Sequence, residues 1–194
     1  MARRIGRMKP GTIFAPRDLA SIGSRTAIAS ALSRQLKART LRQPARGLYQ
    51  VPATHPVLGE LRSSPDAVAN ALAGKHRLKL QPAGAYAANL LGLSDQVPMK
   101  VVYLTDGTPR QIRSGKHQIV LRRTTPRNMA TAGRISGLVI QAFRYFGQRR
   151  VDSAMVDSLR RRLSQKDRAQ LLKDAALAPA WIAARMREIA EGTK

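Results

Sequence analysis

The sequence predicts an α+β chain, and three observations carry that expectation. The first 50 or so residues order a short helix, a sharp turn, a longer helix and a basic hairpin. The middle holds short apolar runs broken by Asp106-Gly107 and Ser114-Gly115, which read as strands and turns. From about Ser136 onward the apolar spacing is helical. The expected architecture is an N-terminal winged helix-turn-helix over residues 1–54, then a small mixed α/β region that continues into a helical C-terminal part over 55–194.

The elements follow in order. Pro16 suits the first position of a helix, where its missing N–H costs nothing. Asp18 faces the positive end of that helix, and Phe14 and Leu19 stand where a hydrophobic staple places them. A short helix over about Pro16 to Ser21 is expected, with Gly23 as the turn and Ser24 as the next cap. In the next helix Ile28, Ala31, Leu32, Gln35 and Leu36 fall at i, i+3, i+4, i+7 and i+8, one apolar stripe with one polar interruption. The opposite face carries Arg25, Thr26, Ala29, Ser30, Ser33, Arg34 and Lys37. Leu41–Gln43 and Gly47–Val51 read as strands joined around Pro44-Ala45-Arg46. Two prolines in VPATHP (residues 51–56) suggest a linker, with a boundary near Thr54.

Ser64-Pro65-Asp66 starts a helix that runs to about Lys75. Arg77–Gln81 is an expected strand and Pro82–Leu91 an Ala-rich helix that ends at Gly92. Lys100–Leu104, Arg110–Arg113 and His117–Arg122 look like a three-stranded meander. Leu138, Ile140, Ala142, Phe143 and Phe146 form an apolar helix, with further helices at about Asp152–Leu163, Gln165–Ala176 and Pro179–Ala190. Aromatic residues are few, so the core should be built from Ala, Leu, Ile and Val, with Trp181 as an anchor for the last helix.

Charge narrows the function. The 194 residues carry 35 Lys and Arg against 11 Asp and Glu, a net charge of +24. Self-repulsion at that level destabilises the compact state, so a polyanionic partner is expected, nucleic acid before an anionic membrane. Residues 1–55 hold eleven basic residues and one acid, Asp18. There is no cysteine, which excludes disulfides and thiolate metal sites. No stretch nears ~18 apolar residues, and the basic start lacks an apolar run, so neither a membrane span nor a secretory signal is expected. A cytoplasmic protein with no membrane partner is the simplest expectation.

A helix about 10–12 Å wide fits the major groove of B-DNA. Ser24, Arg25, Thr26, Ser30, Arg34 and Lys37 supply donors and acceptors for base edges and phosphates, and Ala29 keeps the surface low. Arg42 and Arg46 on the hairpin would reach phosphates or the neighbouring minor groove. Arg3, Arg4 and Arg7 would track an adjacent phosphate strand. An RNA-binding module shares the charge but usually exposes more aromatic side chains for stacking.

No enzyme is visible. The phosphate-loop and dinucleotide glycine motifs are missing. His55, His76 and His117 are scattered, with no second ligand at metal-binding spacing, so no metal or cofactor is expected. Asp152 and Asp157 are five positions apart, roughly 500° around a helix, and do not share a face. Gly133-x-x-x-Gly137 reads as a tight approach to an apolar helix. Arg160-Arg161-Arg162 reads as a solvated face that could add phosphate contacts or attract an acidic partner.

The first stretch also resembles the N-terminal winged helix of AbiEi-type antitoxins of type IV toxin–antitoxin systems. The shared residues are Gly11 and Phe14, Asp18-Leu19, Ala31-Leu32-Ser33-Arg34 and Arg46-Gly47-Leu48-Tyr49. PAGAYAANLLGLSDQVP (residues 82–98) is similar to a Ser/Ala-Gly-x-x-Ala-x-x-x-Leu-Gly-Leu block in a related group of winged-helix transcriptional regulators. The likeness covers roughly residues 1–125, and the helical tail is only loosely similar. It implies an antitoxin that binds an operator with inverted repeats in double-stranded DNA and represses its own operon. It also implies a functional partner, a toxin resembling a nucleotidyltransferase, opposed by the C-terminal portion without a stable complex. The alternatives are a protein-interaction antitoxin with incidental DNA affinity and a general nucleic-acid-binding module, for RNA or DNA, without sequence-specific regulation.

Overall fold

The computed structural model describes residues 2–57, 59–74 and 78–191. The chain is mixed α and β with a helical C-terminal part, and it divides into two compact units. The first comprises Met1–His76 with Ile112–His117, and the second Arg77–Gln111 with Gln118–Lys194. Thr54 therefore lies inside the first unit, on a strand rather than in a linker.

The first unit opens with helix α1 (Ala2–Gly6) and strand β1 (Ile13–Phe14), neither expected from the sequence. Pro16–Ile22 forms a 3-10 helix, in which the Asp18 carboxylate accepts the Ala15 N–H at 2.8 Å. Helix α2 (Arg25–Lys37) follows, capped by the Ser24 hydroxyl, which accepts the Ala27 N–H at 3.3 Å. Strands β2 (Arg42–Ala45) and β3 (Leu48–Gln50) complete an antiparallel sheet of order β1-β3-β2. The expected turn at Pro44-Ala45-Arg46 is displaced. Pro44 lies within β2, an edge strand that needs no N–H at that point, and the turn is Arg46-Gly47, where Gly47 has φ +77°. The register slips by one residue between Arg42 and Ala45, a bulge beside that proline.

Ile5, Phe14, Leu19, Ile28, Leu32 and Leu41 pack into one buried cluster, flanked by Met8, Leu36, Tyr49 and Val51. The stripe read from the sequence therefore faces inward and sets the rotation of α2. Its neighbours then extend the chain where a linker was expected. Strand β4 (Ala53–His55) pairs with β5 (Gly59–Leu61), in register Thr54 to Glu60. Helix α3 (Pro65–Ala73) starts at the Ser64 cap as read. Its expected extension to Lys75, the start of the expected strand at Arg77, and His76 lie outside the described residues.

In the second unit, strand β6 (Leu80–Ala83) takes in Pro82, which the sequence had assigned to a helix. β6 is an edge strand, so the proline is tolerated there, and helix α4 (Ala85–Leu90) begins only after Gly84, at φ +62°. Strands β7 (Lys100–Thr105), β8 (Arg110–Ser114) and β9 (His117–Arg123), of which Ile112–His117 is grouped with the first unit, do not form a meander. The sheet order is β6-β7-β9-β8, with β9 inserted beside β7 in parallel. Composition explains the swap. β9 buries Ile119 and Leu121 and needs neighbours on both sides, whereas RQIRS in β8 suits an edge.

Helix α5 (Pro126–Met129) was not expected. Helices α6 (Ile135–Phe146), α7 (Ser153–Arg162), α8 (Gln165–Asp174) and α9 (Ala180–Glu191) lie close to the bounds read from the sequence. Asp152 and Ser164 cap α7 and α8. The main core is aliphatic and Ala-rich around Phe143, and Trp181 stacks on Phe143 with ring centroids 6.5 Å apart. A Cβ at Gly137 would collide with the Gln81 side chain and the Thr131 carbonyl, so α6 needs glycine where it crosses them. No helix among the described residues is long and apolar enough to cross a membrane.

Candidate nucleic-acid interface

Burial of Ile28 and Leu32 turns the other side of α2 to solvent. At about 100° per residue, Thr26, Ala29, Ser30, Ser33, Arg34 and Lys37 fall within one arc of roughly 140°, and all six are exposed. Arg25 is exposed too, but it stands about 100° round from Thr26 and off that arc. The Ser24 hydroxyl caps the helix and also bonds the Thr26 hydroxyl at 3.1 Å. Ser24 is therefore a structural cap first. Arg34 and Lys37 occupy the last turn, where cations interact favourably with the helix dipole.

The chain leaves α2 through Arg39, whose φ of 56° makes it the only non-glycine residue with positive φ among the described residues. Arg39, missed in the sequence reading, adds a cation at the end of the exposed arc. Nothing in the sequence marks it, because arginine is not a residue expected in that conformation.

The hairpin divides its two arginines. Arg46 sits exposed at the β2–β3 turn. Arg42 is half-buried and ion-paired with Glu60 of β5. Arg42 was expected to be available to phosphate, and its carboxylate partner comes from a strand the sequence reading did not anticipate. Arg25, Arg34, Lys37, Arg39 and Arg46 have no ion-pair partner among the described residues. Arg3, Arg4 and Arg7 are exposed on and just after α1, around a cleft of about 550 Å³ shared with Met8 and Ile22, while Ile5 anchors the helix in the core.

The remaining candidates have structural employment. His55 accepts the Val57 N–H at 3.2 Å within a turn. Asp152 is a cap, and Asp157 pairs with Arg160 at 2.9 Å. Arg160 also donates to the Glu188 carbonyl, and the Arg162 guanidinium lies against Gly92, so only Arg161 of that run is left to solvent alone. Among the described residues no group of three or more His, Cys, Asp or Glu could hold a metal ion.

A family model described as "Family of unknown function (DUF6088)" matches residues 1–171. No curated protein matches the chain. A solved structure, "Crystal structure of RV2827C protein from Mycobacterium tuberculosis", is similar at 14% sequence identity and a TM-score of 0.48, over 97% of this chain and 78% of that one.

Proposed function

We infer the function from the geometry of this chain, which belongs to DUF6088, a family of unknown function. We propose that residues 1–54 are a winged helix-turn-helix that binds double-stranded DNA, with α2 in the major groove and the Arg46 turn as the wing on the backbone. The order α1, β1, 3-10 helix, α2, β2, β3 and the sheet order β1-β3-β2 support this reading. The observation that carries it is the exposed arc of α2: small and hydroxyl side chains flanked by Arg34 and Lys37, with no carboxylate paired to them among the described residues. Such a face can approach base edges while Arg46 and Arg39 hold phosphates.

The resemblance to AbiEi-type antitoxins supports a cytoplasmic autorepressor of a toxin–antitoxin operon. Its operator would carry inverted repeats, and its partner in function would be a toxin resembling a nucleotidyltransferase.

The first test is a footprint on the DNA upstream of the protein's own gene, with excess unrelated DNA present. Protection of a repeated element is expected, with half-sites spaced by whole helical turns. Smooth coating of any DNA would overturn sequence-specific binding. Arg34→Ala with Arg46→Ala should abolish operator binding while the circular dichroism spectrum shows an intact fold. Undiminished binding by that variant would remove the assignment of this face.

A further inference from the structure

The second unit holds a cationic cleft of its own, of about 240 Å³. Arg122 at the end of β9 and Thr124 just after it form one wall. Asn128 of α5 and Gln141, Arg144 and Tyr145 of α6 form the other. Ala83, Gly84 and Leu104 complete the lining.

These polar groups are arranged in sequence. The Arg144 guanidinium donates to the Asn128 side-chain carbonyl at 2.9 Å, and the Asn128 amide donates to the Thr124 hydroxyl oxygen at 2.9 Å. The bond orients Arg144 and leaves most of its five N–H donors for another acceptor. Because the Thr124 oxygen accepts, its own proton is directed elsewhere. No carboxylate lines the cleft, and neither Arg122 nor Arg144 has an ion-pair partner among the described residues. Two guanidinium groups facing one small cleft repel each other until an anion enters between them.

The size and donor count restrict the anion. Pockets for drug-sized ligands start at about 300 Å³, so this one suits a small charged group and the atoms next to it. Guanidinium forks and a hydroxyl match the several oxygens of a phosphate. Tyr145 is 53% exposed at the rim, its ring held edge-on by Phe146 with centroids 5.3 Å apart. An exposed, fixed aromatic ring beside phosphate donors is a surface on which a base stacks.

We propose that the cleft between Arg122 and Arg144 binds the phosphate of a nucleotide, with the base or sugar against Tyr145. The site belongs to the second unit and does not depend on the reading of α2.

Calorimetric titration of the full chain at fixed chloride with adenosine 5′-monophosphate tests it. Saturable binding at one site is expected, and none with adenosine. Arg122→Gln with Arg144→Gln should weaken it by about tenfold or more, the scale of losing hydrogen bonds to a charged group. Arg149→Gln with Arg150→Gln removes the same charge from exposed positions of the same unit and should leave it unchanged. Where loss of the Arg144–Asn128 bond disturbs the fold, Arg122→Gln alone carries the test, because the Arg122 side chain holds no ion pair among the described residues. Competition by an oligothymidylate without terminal phosphates would assign the site to backbone phosphate, and no competition to a free monoester. Absence of saturable binding, or equal weakening by both pairs of substitutions, would overturn the proposal.

Discussion

Arg39 holds a left-handed backbone conformation, φ 56°, at the point where α2 must stop. The turn is well tied: the Arg39 and Thr40 N–H groups donate to Leu36 and Gln35 carbonyls at 3.0 and 3.1 Å. Glycine is the residue that ends helices this way without a Cβ clash. For a non-glycine residue the conformation costs about 1–2 kcal/mol. Replacing it with glycine gives back about 0.4–1 kcal/mol through the freer unfolded chain. Arg39→Gly should therefore stabilise the protein by roughly 0.5–1 kcal/mol, seen as a higher urea midpoint at unchanged slope. The same variant should bind operator DNA several-fold more weakly. A cation kept at an energetic cost is explained by what it contacts, and undiminished DNA affinity would remove Arg39 from the interface.

At the scale of elements, the parts of the site that were legible are those with local causes. Pro16 starts the 3-10 helix, and the Ser24 cap with the Ile28–Leu32 stripe dictates α2 and its exposed face. The caps Ser64, Asp152 and Ser164 do the same for α3, α7 and α8. Pro44 and Pro82 misled because a proline reads as a turn or a helix start, and its acceptance in a strand depends on that strand lying at a sheet edge. The parallel pairing of β9 with β7 was hidden for the same reason: pairing partners are set by long-range packing. Arg42 shows the consequence for function, since Glu60 comes from a hairpin that only tertiary structure reveals. The pair is partly solvated, with side chains 34% and 64% exposed, so it contributes at most about 1 kcal/mol. Glu60→Gln should cost little stability, release Arg42 and tighten DNA binding. If Arg42 then neutralises one more phosphate, the slope of log affinity against log salt steepens by about 0.9. An unchanged slope would mean that Arg42 lies away from the DNA.

At the scale of the whole molecule, the net charge of +24 acts on two equilibria with opposite sign. Folding gathers like charges into a smaller volume, so repulsion opposes it. Chloride at about 0.1 M screens charges beyond about 10 Å, which relieves much of that repulsion. The melting temperature of the free protein should therefore rise as sodium chloride is raised from low to moderate concentration. DNA binding releases condensed cations from the duplex, so it should weaken over the same range, with a slope near −0.9 for each phosphate neutralised. Arg34, Lys37, Arg39 and Arg46 predict a slope of about −3 to −4 for one half-site, and the α1 arginines would add to it if they track the backbone. Both quantities can be read on one sample, melting by circular dichroism and affinity by fluorescence anisotropy. Opposite trends would identify the charge as a feature maintained for a polyanion at the expense of the free fold. A melting temperature that falls with salt would show instead that attractive pairs such as Arg134–Asp174 outweigh the repulsion, and the excess charge would then need another explanation than the partner proposed for it.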